Sequence, residues 1–421
     1  EKLPQTLIRD SQEAALSRGL AIALRASRGY AAAEVERAYS RAEMLCRRSG
    51  ATAREMFGVV GGLQSVHQLR GPMRRASDLA ERLAELAREV GDDNLVLQAN
   101  RRIGWCMFCE GKLLDGRSYL ERALPRDSKA TGEESRSAPG SDPGVIALVN
   151  LAWLEWFLGY PDRAKAKAHG ARLLSRNLGL PLSRAYAICM SAAVHQCIGD
   201  VKSTHRLAQS AIRLAEMRGF AYWRAWARTL LGWALAKSGL RAEGLAAIDR
   251  GMDEYITTGA ELFRPYVLGL CAEIQLEAGD PDAALESISE GLLSSATSGA
   301  RFFDADLHHR RGQVLSLGRG DFEGAEASYL KAAEIAKSQG ARSLLLRAVN
   351  ARATLPHRVD DTVALRDVET THREFTEGFE TPDLLAATSV LKSPSRGRGR
   401  ASLNIRSKGR SRFAPQQAGL L

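Results

Sequence analysis

Apolar positions recur along the chain at helical spacing in blocks, and a glycine closes almost every block. Gly71, Gly111, Gly159, Gly199, Gly239 and Gly279 stand 40, 48, 40, 40 and 40 residues apart. A second series, Gly179, Gly219, Gly259 and Gly299, runs at 40 and falls midway between members of the first. The two rulers together predict helices of about 17 residues separated by tight turns. Glycine closes a helix readily because it accepts the left-handed conformation at the C-terminus. A Pro or Asp that can open the next helix follows several of these glycines, as in Gly159, Pro161 and Asp162, Gly199 and Asp200, or Gly279, Asp280 and Pro281. Links this short force each helix to run antiparallel to its predecessor.

Side-chain size repeats with the same ruler. Seven residues before the first glycine series stand Gln64, Gly104, Ala152, Ala192, Gly232 and Ala272. Five after it stand Ala76, Gly116, Ala164, Thr204, Gly244 and Ala284, and twelve after it Leu83, Ala123, Ala171, Ala211, Gly251 and Gly291. Small residues belong where two helices cross closely, with larger apolar residues filling the positions between. This is the tetratricopeptide rule set with longer helices, so the predicted fold is all-α: a right-handed solenoid of antiparallel helix pairs, each of about 40 residues.

Gly29 and Gly50 frame an earlier repeat, and Gly320 and Gly340 a later one, giving eight pairs and a degraded ninth over 341–391. The 48-residue step is explained by a polar Pro/Gly/Ser-rich insertion at 125–142, read as a loop. The repeat domain is expected over 1–391 and a basic disordered tail over 392–421, where few apolar residues and no helical period remain.

Charge changes this picture little. The net +10 includes seven cations in the last 29 residues, Arg396, Arg398, Arg400, Arg406, Lys408, Arg410 and Arg412, and subtracting them leaves +3 for the rest. A broad nucleic-acid face is therefore not indicated; the tail could neutralise phosphates weakly, but Phe413 is its only ring available to stack on bases. The six cysteines are scattered through helical stretches, which fits a reducing cytoplasm better than a secreted disulfide scaffold. No apolar run approaches the roughly 18 residues of a membrane span, and the N-terminus lacks a signal-peptide stretch. The chain opens on Glu1 rather than methionine, which reads as a piece of something longer.

Four stretches carry a family resemblance: 29–50 (GYAAAEVERAYSRAEMLCRRSG), 141–164 (SDPGVIALVNLAWLEWFLGYPDRA), 258–285 (TGAELFRPYVLGLCAEIQLEAGDPDAAL) and 375–384 (FTEGFETPDL). Together they make residues 7–391 resemble the C-terminal region of bacterial multidomain adenylate/guanylate cyclases. In that family a class III cyclase domain precedes an AAA-type signalling ATPase and then a tetratricopeptide array. Residues 356–374 lack the family's Gly-x-x-x-x-Ala helix pair, and the tail runs past its usual end. The chain has no G-x-x-x-x-G-K-[ST] phosphate loop and no Asp-rich metal motif of a cyclase. The resemblance therefore implies a non-catalytic regulatory part that serves as sensor or protein-interaction scaffold beside an attached or separate cyclase or ATPase. Alternatives are the sensor arm of a large ATPase-type transcriptional regulator, or a free-standing adaptor.

No catalytic residue, metal site or cofactor is indicated. Cys106 and Cys109 lack a second ligand pair, adjacent His308 and His309 point to different helix faces, and the Arg319, Gly320, Asp321 tripeptide falls on a repeat turn. The aromatic residues say more. In such arrays the first helix of each pair lines the concave side, at positions thirteen, six and three before each glycine. Those positions hold Trp105, Phe108, Trp153, Trp156, Tyr186, Trp226, Trp233 and Tyr266, including five of the six tryptophans. They predict a groove for a protein, a peptide or a small ligand; the competing reading is that neighbouring repeats bring the rings together as core.

Overall fold

The structure, a computed structural model, describes residues 6–124, 142–358 and 361–392. The expected loop at 125–142, apart from Asp142, and the expected tail, apart from Lys392, lie outside the described residues.

Nineteen α-helices and no strand occur among the described residues. They run as antiparallel pairs: α1 (Leu7–Arg28) with α2 (Ala33–Ser49), α3 (Ala53–Arg70) with α4 (Met73–Val90), and α5 (Asp93–Cys109) with α6 (Leu113–Arg122). There follow α7 (Pro143–Phe157) with α8 (Pro161–Asn177), α9 (Pro181–Ile198) with α10 (Val201–Arg218), and α11 (Ala221–Lys237) with α12 (Arg241–Thr257). The series ends with α13 (Arg264–Glu277) and α14 (Pro281–Ser298), α15 (Asp304–Gln313) and α16 (Phe322–Gln339), and the shorter α17 (Arg342–Ala353) and α18 (Thr362–Arg373), before α19 (Pro382–Lys392). A π-helical stretch, Val314–Gly318, extends α15.

Local chemistry places the helix ends. The side chains of Asp92, Asp142, Asp200, Asp280, Asp321 and Asp361 each accept from a backbone N–H in the first turn that follows. Thr52 and Glu55 form a reciprocal capping box on α3. All ten glycines of the two series have positive φ, as the ruler requires.

The pairs form two concentric layers. The outer helix α8 buries one stripe, Pro161, Ala164, Ala168, Ala171 and Ser175, whereas the inner α9 is buried around most of its circumference. Small residues let the layers touch: a Cβ on Gly232 would lie 2.5 Å from the carbonyl oxygen of Gly244. A Cβ on Gly104 would likewise lie 2.9 Å from that of Gly116.

The superhelix is wound so tightly that each turn rests on the next. The N–H groups of Glu261 and Leu262 donate to the carbonyl of Leu69 (2.7 and 2.9 Å), and those of Arg301 and Phe302 to that of Cys109 (2.7 and 3.2 Å). Arg347 Nη2 reaches the carbonyl of Cys197 at 2.6 Å, and Ser343 Oγ that of Trp156 at 2.5 Å. These contacts join α3 to the start of α13, α5 to α15, α7 to α17 and α9 to α17. Three of the four span ten helices, so one turn takes about five pairs.

Residues 375–384 fasten the last turn to the one before it. Glu377 Oε1 accepts from the N–H groups of Asp162 and Arg163, both at 2.8 Å, and the Gly378 N–H donates to Asp162 Oδ2 at 2.9 Å. Phe375 and Arg342 close over Gly159, where a Cβ would lie 3.1 Å from each. Residues 375–384, the last of the four stretches that carry the resemblance, thus form a clasp between turns.

Candidate functional site

Turn-on-turn stacking decides what happens to the concave wall. Rings from one turn meet rings from the next: Trp153 lies 5.7 Å from Phe263, 5.6 Å from Tyr266 and 6.3 Å from Phe302, while Phe108 lies 5.1 Å from Phe302. Trp226 packs at 4.5 Å against Phe263 and 5.4 Å against Tyr266. Phe108, Trp153, Trp226 and Tyr266 are accordingly at most 1% exposed. These four pack into an aromatic column rather than lining an open groove. Trp156 is also buried, with the Arg347 guanidinium 5.0 Å from its ring.

The other three border cavities. Trp105 and Tyr186 line an axial cavity of about 110 Å³ together with Tyr30, Asn150, Tyr222, Trp223 and Phe263. Arg25, Arg101 and Arg102 also reach it, and no Asp or Glu is among its lining residues. The walls come from α1, α3 and α5 on one turn and from α7, α9, α11 and the start of α13 as the chain winds round beneath them. Tyr186 donates to Asn150 Oδ1 at 2.5 Å, and burial pushes its phenol well above the ordinary value.

Trp233 borders a wider cavity of about 670 Å³ near the C-terminal end. Charge there is dense and paired. Arg310 donates to Asp306 (2.5 Å) and Glu273 (2.8 Å), Arg347 to Asp383 (2.9 Å) and Asp306 (3.3 Å), and Lys237 pairs with Glu273. Trp233 Nε1 adds a bond to Glu273 at 3.1 Å. Burial would raise the Glu273 carboxyl, but Arg310 and Lys237 outweigh it and hold the group at about 2. Burial lowers His309 to about 4 against the opposing pull of Asp306, so its imidazole is neutral near pH 7.

Sequence reasoning did not single out Tyr30, Trp223, Phe263 and Phe303, nor Arg101 and Arg102. Trp223, Phe263 and Phe303 each stand four residues after a glycine of the second series, a signal that could have found them. Cys106 and Cys109 lie in the last turn of α5, and both are buried. Burial pushes the Cys106 thiol up to about 11. All six cysteines are free, and among the described residues no group of three or more His, Cys, Asp or Glu could hold a metal ion. Asp321 of the tripeptide caps α16. No helix among the described residues is long and apolar enough to cross a membrane.

No family model matches the chain. The uncharacterized protein R02095 of Rhizobium meliloti (strain 1021) is 25% identical over 276 residues, which is 64% of this chain and 26% of that protein. The chain thus spans about a quarter of the length of the curated relative it matches. Among solved structures, a Rap protein complexed with competence and sporulation factor superposes with a TM-score of 0.60 at 14% identity, over 86% of this chain and 98% of that one. A signal transduction ATPase with numerous domains and a tetratricopeptide repeat sensor, from Pyrococcus horikoshii, gives 0.42 at 12% identity, over 80% of this chain and 52% of that one. The fold places the chain in the class of tetratricopeptide-like helical solenoids.

Proposed function

We propose that this chain is the sensor and protein-interaction part of a nucleotide-cyclase or ATPase signalling protein, working in the cytoplasm without chemistry of its own. The observation that carries this reading is the axial cavity bordered by Trp105 and Tyr186, whose walls belong to both superhelical turns. A ligand seated there touches both turns at once, so it favours one spacing of the turns over another. That differential contact is what a sensor needs in order to shift a conformational equilibrium. The resemblance of 7–391 to the C-terminal part of cyclase–ATPase proteins supplies the output, and R02095, roughly four times as long as the matched portion, is large enough to hold further domains. The Rap protein of the same fold was solved with competence and sporulation factor bound, which supports a binding role for such a solenoid.

The test begins with the coding sequence upstream of Glu1 and continues with the complete protein it encodes. A cyclase or ATPase domain should be found there. Trp105→Ala and Tyr186→Ala should change its nucleotide turnover several-fold without loss of helix content. Unchanged turnover on deletion of this whole region would overturn the sensor reading, and nucleotide turnover by this chain alone would overturn its non-enzymatic part.

A further inference from the structure

The axial cavity collects positive charge without a counter-charge. Arg101 makes no hydrogen bond or ion pair among the described residues, and its Nε is buried without a partner. Arg102 donates through Nη1 to Gln64 Oε1 (2.5 Å) and Ser65 Oγ (3.0 Å), both neutral, and its Nε is likewise buried without an acceptor. The Arg25 guanidinium lies 5.1 Å from the Tyr30 ring centroid. Burial lowers Arg101, and it lowers Arg102 to about 9, with Arg101 and Arg25 adding repulsion. An arginine whose Nε–H is buried without an acceptor, and which has no carboxylate beside it, destabilises the empty fold. A chain selected for packing alone would place leucine or methionine at such positions.

Aromatic surfaces complete the site. Trp105, Tyr186 and Trp223 stand around the same space as the guanidinium groups, and its volume of about 110 Å³ is on the scale that holds a single ring. We propose that the cavity binds a small organic anion, a carboxylate or phosphate joined to a flat apolar body. Arg101 and Arg102 hold the anionic end, and the Trp105, Tyr186 and Trp223 rings pack the flat part. This deepens the sensor reading and rests on it for any effect on output; binding itself is tested separately.

The experiment measures the thermal unfolding midpoint of the chain in low-chloride buffer with millimolar phenyl phosphate, benzoate or neutral benzamide. Phenyl phosphate, benzoate or both should raise the midpoint by about 3 °C, and benzamide should leave it within about 1 °C. A response to only one of the two anions identifies the headgroup. Arg102→Met and Arg101→Gln should each abolish most of that rise, whereas Arg88→Met on the exposed face of α4 should preserve it. If one of the two cavity variants does not fold, the other keeps the test decisive. An equal shift with benzamide, no shift with either anion, or an anion shift undiminished in both cavity variants would overturn the proposal. A failure to bind these anions leaves the sensor reading to its own deletion test, and binding without any change in output would sink that reading alone.

Discussion

Two junctions in this molecule are built by the same winding and filled with opposite electrostatics. At the axial cavity, Arg25, Arg101 and Arg102 face aromatic rings and neutral polar groups with no lining acid. At the C-terminal cavity, Arg310 and Arg347 are tied to Glu273, Asp306 and Asp383. Charges that answer one another hold two turns in a fixed relation, whereas cavity-lining charges left without a carboxylate keep a place open for a partner from solution. The same residue type therefore serves as a lock in one junction and as a reader in the other.

Breaking the lock should produce the largest effect. Asp306→Ala leaves both Arg310 and Arg347 short of an acceptor in a buried setting and should cost about 3–5 kcal/mol in denaturant unfolding. Replacing Asp306 and Arg310 together by Leu and Met should recover much of that loss, because the stranded charge goes with its partner. Trp153→Ala should cost about 3–5 kcal/mol, since it empties the ring that bridges α7 to Phe263 and Phe302. It also removes the Trp153 Nε1 bond to the Met190 carbonyl, 3.1 Å long.

Acid should separate the junctions without any mutation. The Glu273 carboxyl is held below its ordinary 4.5, at about 2, so its stabilising contribution is complete above pH 4.5 and fades as pH falls toward 2. The His309 imidazole is held below 6.5, at about 4, so its contribution is complete above pH 6.5 and fades as pH falls to about 4. Both work in the same direction, and together they should remove several kcal/mol, up to about 5, between neutral pH and pH 3. Hydrogen exchange should show α13 and α15 losing protection before α3 and α5, whose cavity has no lining acid to titrate. The smallest effect belongs to the clasp. Glu377→Gln keeps the acceptor for the Asp162 and Arg163 N–H groups but removes its charge from the start of α8, so about 0.5–1 kcal/mol should be lost, with less loss at high salt. A larger loss would mean that the clasp, and not the charged junction, sets the spacing of the last turns.

Much of this was legible in the sequence, and what was not has a common cause. Helix ends follow from local rules, so the glycine ruler and the capping aspartates located them. The close crossings within pairs follow from side-chain size, so Gly232 and Gly244 or Gly104 and Gly116 were readable as contacts. The offsets singled out Trp153, Trp226 and Tyr266 as a set. Their burial did not follow from those offsets, because it depends on the pitch of the superhelix, the sum of small rotations between successive pairs. No periodicity in the chain encodes that sum. Arg101 and Arg102 are hidden for the same reason: two adjacent arginines in a helix look like a solvated face until another turn lies across them.

The carbonyls of Leu69 and Cys109, each taken by two N–H groups from the coil below, carry a consequence for how such a chain can change length. An open spring tolerates an extra loop of wire anywhere. Here the coils are bonded flank to flank, so one added or deleted helix pair would rotate everything beyond it by about a fifth of a revolution and leave those donors facing the wrong acceptors. Growth by a single repeat is thereby closed to this molecule, while an insertion that leaves the helical phase alone is not.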